Sequence, residues 1–355
     1  MVRSDVEIRP VRPEDAADLY EIAMQPAVAR TMLFVPSMEF AETEKHVNRE
    51  DPHRHYLAAV VDGRAVGSVN LSQHTRARLT HSGQIGLMVH EAYGGQGIGT
   101  RLMNAALDIA DNWLGLKRVE LGVFTENSAA IHLYEKLGFE REGIKRRAAF
   151  GPAGWQDEIV MARLRDLPER PAPAEPRPRP PRQGPVANLY IRPPHPDDLE
   201  DFYALLRHPD VARTTLQMPS QAIWLTRQRL LQPPQGLHRF AALDGERLIG
   251  SITLWPYPQP RRAHSAGLGM SVHPDYWGRG VGSALMSAVV DLADNWLNLQ
   301  RLELEVNTDN PAGVRLYEKF GFVVEGTYRF HAYGGGRWAD SYFMARLRED
   351  GPGQR

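Results

Sequence analysis

Residues 85–99 read Ile-Gly-Leu-Met-Val-His-Glu-Ala-Tyr-Gly-Gly-Gln-Gly-Ile-Gly, and residues 268–282 read Leu-Gly-Met-Ser-Val-His-Pro-Asp-Tyr-Trp-Gly-Arg-Gly-Val-Gly. In each stretch a short apolar strand runs into a glycine-rich turn. An amphipathic helix follows, over 98–114 or 281–297, and ends near a shared Asp-Asn-Trp-Leu. Glycines at such a turn let the backbone approach a ligand closely. The unpaired N–H groups of the first helical turn, with the helix dipole behind them, then suit a pyrophosphate. The spacing is not GxxxxGK[ST], and the third glycine falls at the wrong offset for GxGxxG, so a P-loop ATPase and a dinucleotide fold are set aside. A purely structural turn is the competing reading of one copy; two copies in the same strand–turn–helix setting favour the anion site.

The two stretches are one repeat. A shift of 183 aligns residues 85–139 with 268–322 at 30 identities in 55 positions without a gap. It also carries Ile8-Arg9-Pro10 onto Ile191-Arg192-Pro193 and Met161-Ala-Arg onto Met344-Ala-Arg. A period of that length means two complete domains, since solenoid repeats run to only about 20–50 residues. We expect domains at 1–166 and 189–350, joined by a linker at 167–188. Residues 168–185 hold eight of the 27 Pro, and such a segment is an extended, semi-rigid spacer. Each half reads as an opening strand, a helix announced by Pro13-Glu14-Asp15 or Pro196-Asp197-Asp198, and hairpin strands turning at Asp62-Gly63 or Asp244-Gly245. After the glycine turn and its helix come a strand (119–125; 302–308), a helix (127–137; 311–320) and two closing strands. The fold class is a mixed α/β sheet flanked by helices, α+β in character.

The full 355 residues carry 42 Lys+Arg against 43 Asp+Glu, which leaves no basic field to hold nucleic acid. No cysteine is present, which removes disulfides, thiolate metal sites and cysteine nucleophiles. No His/Asp/Glu cluster has metal-ligand spacing, so no metal is expected. Residues 1–10 lack the apolar core of a signal peptide and no run approaches a membrane span, so a cytoplasmic protein without membrane partners is expected.

Thirty residues beyond the turns, the halves read Asn127-Ser-Ala-Ala-Ile-His-Leu-Tyr134-Glu-Lys-Leu-Gly-Phe139 and Asn310-Pro-Ala-Gly-Val-Arg-Leu-Tyr317-Glu-Lys-Phe-Gly-Phe322. Asn caps the helix, Tyr lies two turns on along the same face, and Gly closes it. With the strand ending in Val-His and the Gly-x-Gly-x-Gly turn, this helix makes each half resemble the GNAT superfamily of acetyl-CoA-dependent N-acetyltransferases. Thr-Thr-Leu-Gln-Met-Pro (214–219), Arg-Arg-Ala-His (261–264) and Asp-Asn-Trp-Leu (294–297) are similar to bacterial L-amino-acid N-acetyltransferases within it. The resemblance implies an acyltransferase that uses acetyl-CoA as donor and the primary amine of a small molecule, an amino acid or an amino-acid-like metabolite, as acceptor. The alternatives are one catalytic half beside a non-catalytic acetyl-CoA-binding half, or an acceptor that is an antibiotic or natural-product amine or a protein N-terminus. Because many members pair, a monomer carrying a covalent pseudo-dimer is expected.

By the same resemblance, Gly94, Gly95, Gln96, Gly97, Ile98 and Gly99, with Gly278, Arg279, Gly280, Val281 and Gly282, hold the coenzyme A pyrophosphate. Leu87, Met88 and Val89, with Met270, Ser271 and Val272, bind the pantetheine arm through their main chain, and Asn127 and Asn310 contact it. Tyr134 and Tyr317 are the general acids facing the thiolate. Many members have Arg or Gln where this chain has Gly94 and Trp277, and an acidic base where it has Gln84 and Gly267. The replacement bases are His81 and His264, with Glu120 and Glu303 as second candidates; a solvated loop and a sheet ion pair are the respective alternatives. His55 and His238 fit a strand entrance. Arg30 and Arg213 align in the helical region that resembles the family's acceptor-side wall, where an acceptor carboxylate needs a cation; ordinary surface arginines are the competing and favoured reading. Trp224 and Pro256-Tyr257-Pro258 occur in the second half only, which suggests different acceptor pockets.

Overall fold

A computed structural model describes residues 5–167 and 184–348. The proline-rich core of the linker, 168–183, lies outside the described residues. The chain divides into two compact units, one built on residues before the linker and one on residues after it.

In the first unit β1 (Glu7–Pro10) leads into α1 (Ala16–Met24), α2 (Pro26–Thr31) and α3 (Phe40–Val47). Then come β2 (Arg54–Val61), β3 (Arg64–Gln73), β4 (Ser82–Val89), α4 (Ile98–Asp108), β5 (Arg118–Phe124), α5 (Ser128–Lys136), β6 (Glu140–Gly151) and β7 (Gly154–Leu164). The second unit repeats the order with β8 (Leu189–Arg192), α6 (Leu199–Arg207), α7 (Pro209–Thr214), α8 (Ile223–Leu231), β9 (His238–Asp244) and β10 (Arg247–Pro256). It closes with β11 (Ser265–Val272), α9 (Val281–Asp291), β12 (Arg301–Asn307), α10 (Pro311–Lys319), β13 (Val323–Gly334) and β14 (Arg337–Leu347). Within the first unit the strands pair in the order β1-β2-β3-β4-β5-β7-β6, antiparallel throughout except for β4 against β5. The second unit pairs in the same way, with β11 parallel to β12.

The repeated motifs explain why these elements form where they do. Arg9 grips Asp15 with both guanidinium nitrogens, at 2.7 and 2.8 Å, and Arg192 grips Asp198 in the same way, tying the first strand to the start of the first helix. Asp62 (φ 50°) and Gly63 (φ 79°) form the two-residue turn with both φ positive that suits a twisted hairpin. In the second unit Asp244 ends β9 and the turn is Gly245-Glu246, one residue later than the Asp-Gly reading placed it. The helices expected over 98–114 and 281–297 stop at Asp108 and Asp291, and a wider turn of π type carries the chain on to Trp113 and Trp296. There Asp111 accepts two hydrogen bonds from Arg163 (2.8 and 2.9 Å), and Asp294 two from Arg346 (2.8 and 2.7 Å). The shared Asp-Asn-Trp and Met-Ala-Arg are therefore two ends of one lock between a helix end and the last strand.

Val119, Leu121 and Val123 of β5 face a core made with Ile98, Leu102 and Met103 of α4 and with Ile131 and Tyr134 of α5. On the other face of the sheet Leu19 and Ile22 of α1 pack on Ala58, Val60 and Ala65, with Met88 at the margin. Alternation along the strands thus turns Glu120 and Gly122 away from α4 and α5.

A buried cation joins the central strands of each unit. Arg118, 0% exposed, reaches Glu120 at 2.8 Å and Glu142 at 2.7 Å; Arg301, 1% exposed, reaches Glu303 at 3.0 Å and Glu325 at 2.6 Å. Removing one partner of such a buried network leaves uncompensated charge and costs about 3–5 kcal/mol. Arg301→Met is expected to lower the unfolding transition of the second unit by that amount and leave that of the first unit in place. Urea titration followed by hydrogen exchange in each unit checks this, and an unmoved transition would show that the network adds nothing.

Candidate active site

The site begins where two strands part. β4 and β5 pair only at Ser82–Arg118, Gly83–Val119 and Gln84–Glu120, after which both continue without pairing, β4 to Val89 and β5 to Phe124. β11 and β12 likewise pair only from Ser265–Arg301 to Gly267–Glu303. Beyond Gln84 and Gly267 each sheet therefore holds an opening with an unpaired strand edge, lined on one side by Leu87, Met88 and Val89 or by Met270, Ser271 and Val272. An extended ligand carrying amides can add to such an edge as a strand would.

At the end of β4 the glycine turn carries the chain into α4. Gly95 (φ 72°) and Gly97 (φ 83°) lie in the left-handed region, as do Gly278 (φ 75°) and Gly280 (φ 91°), and this explains their identity. Gly97 and Gly280 start their helices without any side-chain cap. Among the described residues no backbone acceptor outside the helix takes the amides of Gly95, Gln96 or Gly97. Gly99 allows a close approach, since a Cβ there would lie 3.2 Å from Leu133 of α5 and 3.5 Å from Leu87 of β4. Gly282 meets Leu316 and Met270 in the same way. Strand edge, glycine turn and the second helix thus converge. At the first position of the turn Trp277 donates from its indole nitrogen to the carbonyl of Val272 at 2.7 Å, bracing the turn where Gly94 leaves it bare.

Asn127 caps α5 by accepting from the amide of Ala130 at 3.2 Å, and Asn310 caps α10 through Gly313 at 3.1 Å. Two turns on, Tyr134 and Tyr317 are each 7% exposed, with rings packed at a tilt on Phe139 and Phe322. Their hydroxyls take no hydrogen-bond partner among the described residues. Burial pushes both hydroxyls up to about 12, so they hold their protons at any physiological pH.

The candidate bases fare differently. His81 and His264 lie in the turns before β4 and β11, where their carbonyls accept from Lys117 and Arg118 and from Gln300 and Arg301. Five extended residues, about 16 Å, separate each from Gly86 or Gly269 at the opening. Each lies three residues before the last paired position, Gln84 or Gly267. Glu120 and Glu303 stand at the last paired position, and both carboxylates are engaged. Glu120 is held by Arg118 and lies 3.1 Å from His74 Nε2; Glu303 is held by Arg301, by Arg262 at 3.0 Å and by the Tyr257 hydroxyl, which donates to it. A carboxylate bound by guanidinium groups is a weaker proton acceptor.

His55 is the second residue of β2 and His238 the first of β9, so both do lie at strand entrances. Arg30 is an exposed helix residue. Arg213 differs: its carbonyl accepts from Asn307 of β12 at 3.3 Å, which pins α7 beside the opening. Its guanidinium lies 3.6 Å from Asp309, and its buried Nε has no acceptor. Trp224 is exposed on α8.

Two participants escaped the sequence reading, His74 and Trp255. His74 and Tyr257 are equivalent under the shift of 183 and reach the same carboxylate position in their units. Trp255, equivalent to Ser72, lays its indole over the bare backbone of Gly267 and within 3.3 Å of the place of a Cβ on Gly269. A comparison of the repeat at positions that differ, rather than at those that agree, would have marked both.

Among the described residues no group of His, Asp or Glu is placed to hold a metal ion, and no helix is long and apolar enough to cross a membrane.

Comparison with known proteins agrees with this geometry. The model of the acetyltransferase (GNAT) family matches residues 16–139 and 199–322. The L-amino acid N-acetyltransferase AaaT of Escherichia coli K12 is 34% identical over 163 residues, spanning 46% of this chain and 100% of its own length. The spermidine N(1)-acetyltransferase of the same organism is 29% identical over 164 residues, with 44% and 84% covered. Among solved structures, spermidine N-acetyltransferase from Vibrio cholerae in complex with CoA and spermine is 26% identical, with a TM-score of 0.40 and 45% and 96% of the two chains covered.

Proposed function

The chain belongs to the acetyltransferase (GNAT) family and is an acetyl-CoA-dependent N-acetyltransferase; from that premise we propose that both units acetylate the primary amine of a small molecule, an amino acid or a close analogue first. The observation that supports two working units is the duplication of the whole constellation. Each has an opening in the sheet, an uncapped helix start behind two left-handed glycines, and a buried tyrosine whose hydroxyl is unengaged.

In this reading the amides of Gly95–Gly99 and Gly278–Gly282 take the pyrophosphate of the donor. The free edges of β4 and β11 pair with the pantetheine amides and polarise the thioester carbonyl. Asn127 and Asn310 face the arm from the next helix. The amine attacks the thioester directly; the carbon–nitrogen bond forms, the carbon–sulfur bond breaks, and Tyr134 or Tyr317 donates a hydrogen bond to the departing thiolate. A thiol ionises near 8.5, below a buried tyrosine, so the hydroxyl stabilises the thiolate without having to surrender its proton fully. In the second unit Arg213, with its unengaged Nε, receives the carboxylate of an amino-acid acceptor. The chain acts as a monomer that carries both units.

The spermidine relative keeps a polyamine acceptor in view for the first unit, where Arg30 is exposed and His74 and Ser72 replace Tyr257 and Trp255. Thiol release from acetyl-CoA against L-amino acids, polyamines, aminoglycosides and short peptides tests the reading. Turnover with amino acids supports it. Two acetyl-CoA sites by calorimetry with silence across the panel would overturn the small-amine reading.

A further inference from the structure

Gly122 sits two residues past the last paired position of β5, exposed, on the sheet face away from α4 and α5. The space that a Cβ on Gly122 would need is taken by the carboxylate of Glu158, which reaches across from β7. Glu158 is half-buried, and among the described residues its carboxylate has neither hydrogen bond nor ion pair. Lys145 is its cross-strand neighbour on β6, Asp157 beside it is engaged by the amide of Arg147, and Glu120 is held by Arg118 and His74. A carboxylate that no protein group engages, standing beside the opening, is open to a cationic ligand.

The second unit supplies a comparison. Under the shift of 183 Gly122 becomes Glu305 and Glu158 becomes Ser341, so the carboxylate and the gap have changed places. Glu305 lies 3.6 Å from His331 Nε2, and His331 Nδ1 is 2.9 Å from the Ser341 hydroxyl. One negative charge is thus kept over the same patch of sheet, beside the opening, while the strand that delivers it differs.

We propose that Glu158 is the carboxylate that receives the acceptor's amine in the first unit. It lies on the sheet face opposite to the one that Tyr134 packs against, so the amine arrives on one face of the sheet while sulfur departs on the other. Its charge holds the ammonium on arrival. The ammonium first gives one proton to water; the neutral amine then attacks the thioester carbon, and the now cationic nitrogen gives a second proton to Glu158, which passes it to water, while the sulfur leaves with the electron pair of the carbon–sulfur bond toward Tyr134.

This inference rests on the reading that the first unit is an acetyltransferase in its own right. The test uses the full chain carrying Tyr317→Phe, so that turnover reports the first unit, with a mixture of L-amino acids and, separately, spermidine as probe amines. Glu158→Ser and the isosteric Glu158→Gln are expected to lower kcat/KM by about 10²-fold or more, with acetyl-CoA affinity by calorimetry unchanged. The exchange variant Gly122→Glu/Glu158→Ser, which copies the second unit's arrangement, is expected to recover activity to within about tenfold of the parent, a rescue that a merely structural role would not give. Full turnover in Glu158→Gln, or no recovery in a folded exchange variant, overturns the role of Glu158 alone. A Tyr317→Phe protein that turns over neither probe overturns the two-unit reading and this inference with it.

Discussion

The double variant Tyr134→Phe/Tyr317→Phe is expected to lose about 10²-fold or more in kcat while binding acetyl-CoA as the parent does. The phenyl ring fills the same volume against Phe139 or Phe322, so the packing that makes each tyrosine 7% exposed survives. What goes is the hydroxyl that the proposed mechanism sets against the departing sulfur, and a positioned hydrogen-bond donor of this type is worth about 10²–10⁴-fold. An interaction made as charge develops on sulfur lowers kcat and kcat/KM together and leaves donor affinity alone. Each single variant removes the share of its own unit. The parent's pH profile carries a second mark. Burial raises both hydroxyls from the ordinary 10 to about 12, so the protonated form persists past pH 10 and no tyrosine limb appears below about pH 11. The sign for stability follows: the folded protein holds these protons more tightly than the unfolded chain, so the contribution is complete below pH 10 and is lost as pH rises toward 12. Full turnover in the double variant would remove both tyrosines from the chemistry.

Gly97→Val and Gly280→Val are expected each to weaken one acetyl-CoA site by about 10²-fold. The φ values are 83° and 91°, and a β-branched residue there strains the backbone by about 1–2 kcal/mol or forces the turn open. Both results rotate the first-turn amides away from the pyrophosphate, and each further donor misdirected from a charged group costs about 1.5–3 kcal/mol. Calorimetry on the single variants should show one tight site where the parent shows two. Two undisturbed sites in either variant would mean that the glycine turn does not bind the donor.

The turn itself, the capped helix with its tyrosine and the two-unit plan were legible because each is local chemistry repeated at a fixed offset. Asn127 caps through Ala130 three residues away, and Gly97 adopts the conformation that only glycine takes easily; neither depends on distant residues. The opening was not legible. Strands β4 and β5 look alike to a periodicity argument whether they pair for three positions or for seven. His81 precedes β4 directly, and three residues of extended strand lie between it and Gln84, where β4 leaves β5. Glu120 was sought as a free base and is engaged because Arg118, two residues back on the same face, is fully buried and needs its charge matched. Glu158 was missed because it is far from every motif and reaches Gly122 only through the antiparallel pairing of β7 with β5.

The parted strands also bear on how the molecule fares when its donor is scarce. A bare strand edge inside a sheet is the feature that invites foreign chains to zip on, and folded proteins commonly shield it. Here, on the reading above, the shield is a metabolite, supplied at two seams in every chain. Donor supply is then expected to govern shelf life as well as speed: a starved preparation should clump on warming, while added coenzyme A should close the seams and raise heat tolerance with the logarithm of the dose.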